Sequence, residues 1–239
     1  MTRHWMLLAV ALLAACRSNS ITQPPHSESA VTQSVNEEKK VSLLNEQLIT
    51  AAQKGDTDAV LKLLESGADL NGTDRSGRTA AMAATYGNQP ATVQALIRKG
   101  ADINLRDQSL NNVLLYAGAE GLLDIVKLAI GAGADTKLTN RYGGTALIPA
   151  SERGHVEVVR ELLTRSDIDV NHINHLHWTA LLEAVILGSG GEKHQQIVQL
   201  LIDHGADVTI ADKEGVTPLM HARQRGFKEI EAILLRAGA

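Results

Sequence analysis

Three histidines lie close together in the second half of the chain, and imidazole is a common ligand of zinc. They are His172, His175 and His177, within the segment NHINHLHW. Their spacing matches no closed zinc site, and the segment has the composition of a turn, in which neighbouring side chains diverge. A loop that is solvated or contacts a partner is therefore the favoured interpretation, and we predict neither a metal nor a cofactor.

Side chains that serve in catalysis are present, but not in a catalytic pattern. Ser, His and Asp occur without a nucleophile elbow, and the chain has no glycine-rich phosphate loop. Glu120 and Glu183 are single carboxylates with no evident partner. The net charge is −4 and no basic stripe stands out, which disfavours binding to nucleic acid. We therefore predict that the protein is not an enzyme.

The single cysteine, Cys16, indicates a different kind of chemistry. Arg3 and His4 precede an apolar run at 5–13, which is shorter than the roughly 20 residues of a membrane-spanning helix. Small residues then lead directly to Cys16, as in the lipobox of bacterial lipoproteins, where the thiol is lipidated after cleavage. This resemblance implies a signal peptide at 1–15 and a lipid anchor at Cys16. The alternative is a chance cysteine at the end of an ordinary signal peptide.

The residues after Cys16 bear on location. Arg17 stands where an Asp favours retention of a lipoprotein in the inner membrane, so the resemblance implies the periplasmic face of the outer membrane of a Gram-negative bacterium.

Residues 16–40 are rich in Ser, Thr and Gln, contain Pro24 and Pro25, and show no apolar period. This composition predicts a flexible tether.

A unit made of a turn, a helix, a glycine break and a second helix recurs in the remainder of the chain. In the copy at 212–239, Gly215 suits the turn, Thr217 and Pro218 begin the first helix, and Gly226 ends it. The equivalent turn residues follow one another at intervals of 33, 33, 34 and 38 residues: Asp74, Asp107, Asn140, Asn174 and Asp212. One such hairpin cannot bury its own apolar face, so the period predicts a stack of repeats.

The period and the motifs TPLM at 217–220, GADLN at 67–71 and GADIN at 100–104 resemble those of ankyrin repeat proteins. The resemblance covers residues 41–239. It implies an all-α solenoid of helix-turn-helix repeats with β-turn fingers, about six repeats including the end caps.

Departures from the repeat pattern predict local differences in structure. Leu110 replaces the glycine of a turn, which predicts a distorted turn. Pro149 is tolerated only if it lies in the first turn of its helix. Five extra residues near 188–194 predict an enlarged turn between two helices.

Ankyrin repeats bind partners through their finger tips and the inner face of each first helix, so the resemblance implies a concave binding surface. For Trp178 the alternative to partner binding is that its side chain packs across the finger onto its neighbour. The residues placed on this surface are Arg75, Arg78, Tyr116, Arg141, Tyr142, His175, Leu176, Trp178, Glu183, Lys213 and His221.

The resemblance to lipid-anchored ankyrin proteins implies an immunity protein, monomeric when unbound, that inhibits a secreted antibacterial effector such as a lipase. The alternative is a periplasmic scaffold or stress-protective factor that holds a resident enzyme. A fold of this kind indicates protein binding and leaves the partner open.

Overall fold

The structure, a computed structural model, describes residues 28–239, with side chains from residue 37. The predicted signal peptide, Cys16 and the start of the tether lie outside these residues. In the described part, no helix is long and apolar enough to cross a membrane. Its helices are α1 Glu28–Lys54, α2 Thr57–Glu65, α3 Ala80–Tyr86, α4 Pro90–Arg98, α5 Val113–Glu120, α6 Leu123–Gly131, α7 Leu147–Glu152, α8 Val156–Arg165, α9 Ala180–Ile186, α10 Glu192–Asp203, α11 Pro218–Gln224 and α12 Lys228–Arg236.

The helices pair in chain order and the pairs stack, which confirms the predicted all-α solenoid over the described residues. The first helices of the repeats pack in succession to form an inner layer: α3, α5, α7, α9 and α11. The second helices form an outer layer: α2, α4, α6, α8, α10 and α12. Large side chains that are fully buried between the layers include Leu48, Leu114, Leu147, Leu181 and Ile230. Each pair thus buries its apolar face against its neighbours.

Helix α1 begins at Glu28, inside the segment that composition predicts to be a flexible tether. Residues 28–40 are therefore helical and not irregular. Their sequence, ESAVTQSVNEEKK, includes Glu, Ala, Gln and Lys, which favour helices. Extending an existing helix by one residue is far easier than starting a new one, so the apolar part of α1 propagates into this polar stretch.

Each finger is closed by the residue that sets the repeat period. In the finger at 107–111, the Asp107 Oδ1 atom accepts hydrogen bonds from the amides of Ser109 at 2.8 Å and Asn111 at 3.0 Å. The same pair of bonds recurs at Asp74, Asn140, Asn174 and Asp212. Asp and Asn suit this position because their short side chains reach both amides.

Leu110 does not distort its turn, so that prediction is wrong. Leu110 takes the left-handed conformation with φ of 59°, and its amide donates to the Asp107 carbonyl at 2.9 Å. Gly77 and Gly143 make the same bond at 2.9 Å in their fingers. The hydrogen bonds of the finger hold a non-glycine residue in a conformation that costs about 1–2 kcal/mol. His177, with φ of 62°, occupies the glycine position of another finger.

Replacing Leu110 by Gly is expected to raise the free energy of unfolding by about 1 kcal/mol, since glycine adopts positive φ without a steric penalty. Leu110 is 43% exposed, so the replacement also removes some buried area, as the alanine control below does. Urea unfolding measures the change. Leu110→Ala is the control, because it shortens the side chain but keeps the strained Cβ. An equal gain in both variants would contradict the explanation.

Two further departures are accommodated as predicted. Pro149 is the third residue of α7, where an amide has no partner within the helix. The extra residues enlarge the turn between α9 and α10 to 187–191 and also lengthen α10 to 12 residues. His194 fastens this turn, since its Nε2 atom lies 2.9 Å from the Glu152 carbonyl and its Nδ1 atom 3.2 Å from Ser189 Oγ.

Candidate functional site

A groove with a volume of about 510 Å³ opens between three fingers and the inner helices α5, α7 and α9. The fingers that border it begin at Asp107, Asn140 and Asn174. Residues from all three repeats line it, and those that matter below are Tyr116, Glu120, Arg141, Tyr142, Pro149, Glu152, Arg153, Leu176, Glu183 and Leu187.

The groove opens where α7 carries a proline. In two repeats, the residue nine positions after the turn residue lies on the inner helix and bonds the turn residue. Glu183 bonds Asn174 there at 2.7 Å, and His221 bonds Asp212 at 2.7 Å. Pro149 occupies this position beneath Asn140 and has no polar group on its side chain. The finger is therefore not tied to α7 by such a bond, and the space between them is part of the groove.

Glu183 lies in the groove although only 6% of its surface is exposed. Burial raises its pKa to about 7, and the negative charge of Glu152 adds to the shift, while the hydrogen bond from Asn174 Nδ2 opposes it. Glu183 is therefore the most strongly perturbed carboxyl group of the groove. Near neutral pH its charged and neutral forms are therefore both populated.

Neither Glu183 nor Glu120 is isolated, contrary to the sequence-based interpretation. Glu152 is close enough to Glu183 to raise its pKa, and Glu120 Oε1 forms an ion pair with Arg153 Nη1 at 2.6 Å. Both partners come from α7 or its end, about one repeat away along the chain. Residues one period apart become neighbours in a solenoid, so the 33-residue spacing of Glu120 and Arg153 is the signal that could have revealed the pair.

Replacing Glu183 by Gln is expected to stabilise the fold at neutral pH and to leave its stability at acidic pH unchanged. The folded pKa of about 7 lies above the ordinary glutamate value of 4.5. The wild type therefore loses stability as the pH rises from 4.5 through 7, by about 3 kcal/mol. Glutamine keeps an oxygen for the Asn174 amide and carries no charge. Urea unfolding of both proteins across this range measures the difference, and parallel curves would contradict it.

Aromatic and apolar side chains form part of the groove wall, beside its polar and charged groups. The Tyr116 ring packs against the Tyr86 ring at an interplanar angle of 50°, with ring centroids 4.0 Å apart. Tyr142 is 56% exposed, and the Arg141 guanidinium lies 4.9 Å from its ring centroid. Leu176 and Leu187 are also largely exposed. Exposed aromatic and apolar side chains around a cavity are typical of a surface that binds another protein.

The other predicted surface residues lie outside the groove lining. Trp178 is half-buried. Arg78 forms an ion pair with Asp74 at 2.7 Å, and His221 is bonded to Asp212. Those remaining are exposed on their fingers: Arg75, His175 and Lys213. The groove thus brings together Tyr116, Arg141, Tyr142, Leu176 and Glu183, and the role of every predicted residue in binding stays a prediction.

The three clustered histidines make different contacts, although His172 and His175 both lie against Gly143. His172 Nε2 lies 2.7 Å from the Gly143 carbonyl. The His175 ring lies over Gly143, where a Cβ would collide with it, and His177 is exposed in a turn. Throughout residues 37–239, no group of three His, Cys, Asp or Glu side chains is arranged to hold a metal ion.

Known proteins share the sequence pattern of this chain. A family model for ankyrin repeats (3 copies) matches residues 26–107 and 114–212. The putative ankyrin repeat protein YahD of Escherichia coli K12 is 47% identical over 191 residues, or 80% of this chain and 95% of YahD.

Solved structures show the same similarity. An ankyrin repeat domain from Acinetobacter baumannii AYE is 50% identical with a TM-score of 0.78, covering 80% of this chain and 97% of that one. The ankyrin repeat protein EF0377 is 38% identical with a TM-score of 0.77, covering 80% and 98%. This chain therefore belongs to the ankyrin repeat family, whose stacked repeats form a protein-protein interaction module.

Proposed function

We propose that this protein is an immunity protein, lipid-anchored at the periplasmic face of the outer membrane, that binds and inhibits a secreted antibacterial effector such as a lipase. The observation that carries the binding part is the groove, where Tyr116, Tyr142, Leu176 and Leu187 surround a buried carboxyl group. Such a combination of aromatic, apolar and polar groups suits the anchor residues of a protein partner.

The proposed location rests on the amino-terminal sequence. The apolar run is followed by small residues and Cys16, and Cys16 is the only cysteine of the chain. Several acyl chains on that cysteine, at about 0.8 kcal/mol for each buried methylene, anchor a protein stably. An inhibitor held at the membrane stands where a lipase acts.

Inhibition is proposed to arise from stoichiometric occupancy. A groove of about 510 Å³ holds one or two side chains and not a whole domain. The effector would insert anchor side chains there while the surrounding fingers cover its active site. Inhibition then requires one inhibitor for each effector and no chemical step.

A capture experiment tests this proposal. The full-length protein, purified from membranes in detergent, serves as bait for proteins secreted by competing cells and for periplasmic extract, and mass spectrometry identifies what is retained. We expect one secreted hydrolase, whose activity falls to zero at an equimolar ratio. Retention of a resident periplasmic enzyme with undiminished activity would contradict the immunity function and support the scaffold.

A further inference from the structure

The charges in the groove are unevenly matched. Arg153 is paired with Glu120 at 2.6 Å, and Arg141 lies over the Tyr142 ring at the rim. Over residues 37–239, no ion pair joins a cation to Glu152 or Glu183. The groove lining therefore includes two carboxyl groups, Glu152 and Glu183, whose negative charges act on each other and which no cation of the described residues pairs.

Groups on the neighbouring elements do not supply that positive charge. On α11, His221 is bonded to Asp212, and on α10, His194 lies against a backbone carbonyl and Ser189. The finger beside Glu183 contributes the neutral Asn174 amide, which donates to one carboxylate oxygen. A cation that enters from outside is thus the missing complement, because a buried carboxylate without one is costly.

We propose that the groove receives an arginine side chain of the partner protein, whose guanidinium group pairs with Glu183 and Glu152. This inference deepens the proposed function, since it names the chemistry by which the partner is recognised. Arginine fits better than lysine for two reasons. Its planar guanidinium donates to two carboxylates at once and remains charged when desolvated, and it packs well against aromatic rings such as those of Tyr116 and Tyr142.

The protonation of Glu183 supports the pairing. Its pKa of about 7 without a partner means that a nearby guanidinium favours the ionised form and displaces a proton. Binding of arginine should therefore strengthen by several-fold between about pH 6 and about pH 8. A contact with neutral backbone groups alone would show no such change.

The test uses a capped tripeptide with a central arginine flanked by glycines, with the lysine and glutamate peptides for comparison. The purified protein carries labelled methyl groups, and NMR follows Ile148 and Leu187 in the groove and Leu235 on α12 as a distant reference. We expect the arginine peptide to shift the groove signals and not Leu235. Lysine should bind more weakly and glutamate not at all.

Two variants make the test specific. Glu183→Gln is expected to weaken binding of the arginine peptide about tenfold. Glu157 of α8 does not line the groove, and its side chain is 65% exposed. Glu157→Gln is therefore expected to leave binding of the arginine peptide unchanged. Three results would each overturn the inference. The arginine peptide could leave the groove signals unshifted, the glutamate peptide could shift them equally, or Glu183→Gln could bind the arginine peptide as tightly as the wild type does.

Failure of this inference is distinguishable from failure of the proposed function. If the arginine peptide does not bind but a captured effector is still inhibited at an equimolar ratio, the arginine is wrong and the immunity function stands. If the peptide binds as expected but capture yields only a resident enzyme that remains active, the immunity function is wrong and the arginine pocket stands.

Discussion

The double replacement of Tyr116 and Tyr142 by alanine is expected to weaken binding of the captured partner by about 4 kcal/mol. Both side chains line the groove, and Tyr142 is 56% exposed in the free protein. Tyrosines that enter the centre of an interface commonly contribute about 2 kcal/mol or more each. Calorimetric titration of the partner into wild-type and variant protein measures the loss.

Three controls separate a loss of binding from a loss of fold. Circular dichroism checks that the helices are intact, because the Tyr116 ring packs against Tyr86 and its removal costs some stability. Met220→Ala removes a 51% exposed side chain that does not line the groove. Trp178→Ala, on a finger that borders the groove but outside the groove lining, should weaken binding by less than the tyrosine pair does. If Trp178→Ala weakened binding more than the tyrosine pair, the binding site would lie on the finger tips.

Replacing Gly87 by Ala is expected to destabilise the protein by about 3 kcal/mol. A Cβ on Gly87 would lie 2.1 Å from the backbone carbonyl oxygen of Gln53 in α1. Relief requires that α1 and α3 move apart, because neither atom belongs to a flexible side chain, and overpacking of this kind costs about 1–3 kcal/mol. Thermal and urea unfolding measure the effect.

Gly131→Ala is the matched control for this prediction. Gly131 is the last residue of α6, and a Cβ there would meet no atom within 4 Å. The same chemical change should therefore stabilise the fold by about 0.5–1 kcal/mol, through the lower backbone entropy of the unfolded chain. If the two replacements changed stability equally, Gly87 would not be needed for the close contact between α1 and α3.

The sequence predicts the solenoid well because its strongest signals are local. Asp107 and its equivalents recur at a fixed period since each closes a finger by accepting two amide hydrogens. Thr179 and Thr217 mark helix starts because their hydroxyl groups accept from the amide three residues later. Such requirements involve residues within four positions of each other, so they are visible in one copy of the repeat and reinforced by the next.

The groove was predicted only in part, because its properties depend on contacts between repeats. Tyr116, Tyr142 and Glu183 follow from the family's usual binding positions, but the pairing of Glu120 with Arg153 and the influence of Glu152 on Glu183 need the packed helices. Turn distortion at Leu110 was wrongly expected for a related reason. Leucine alone disfavours a positive φ, but the hydrogen bonds of the whole finger hold Leu110 in that conformation.

Hydrogen-deuterium exchange of the protein with and without its captured effector shows whether the partner occupies the groove. We expect protection in α5, α7 and α9 and in the fingers that begin at Asp107, Asn140 and Asn174, with little change in α6, α8 and α10. Protection confined to those outer helices, with the groove unchanged, would contradict it.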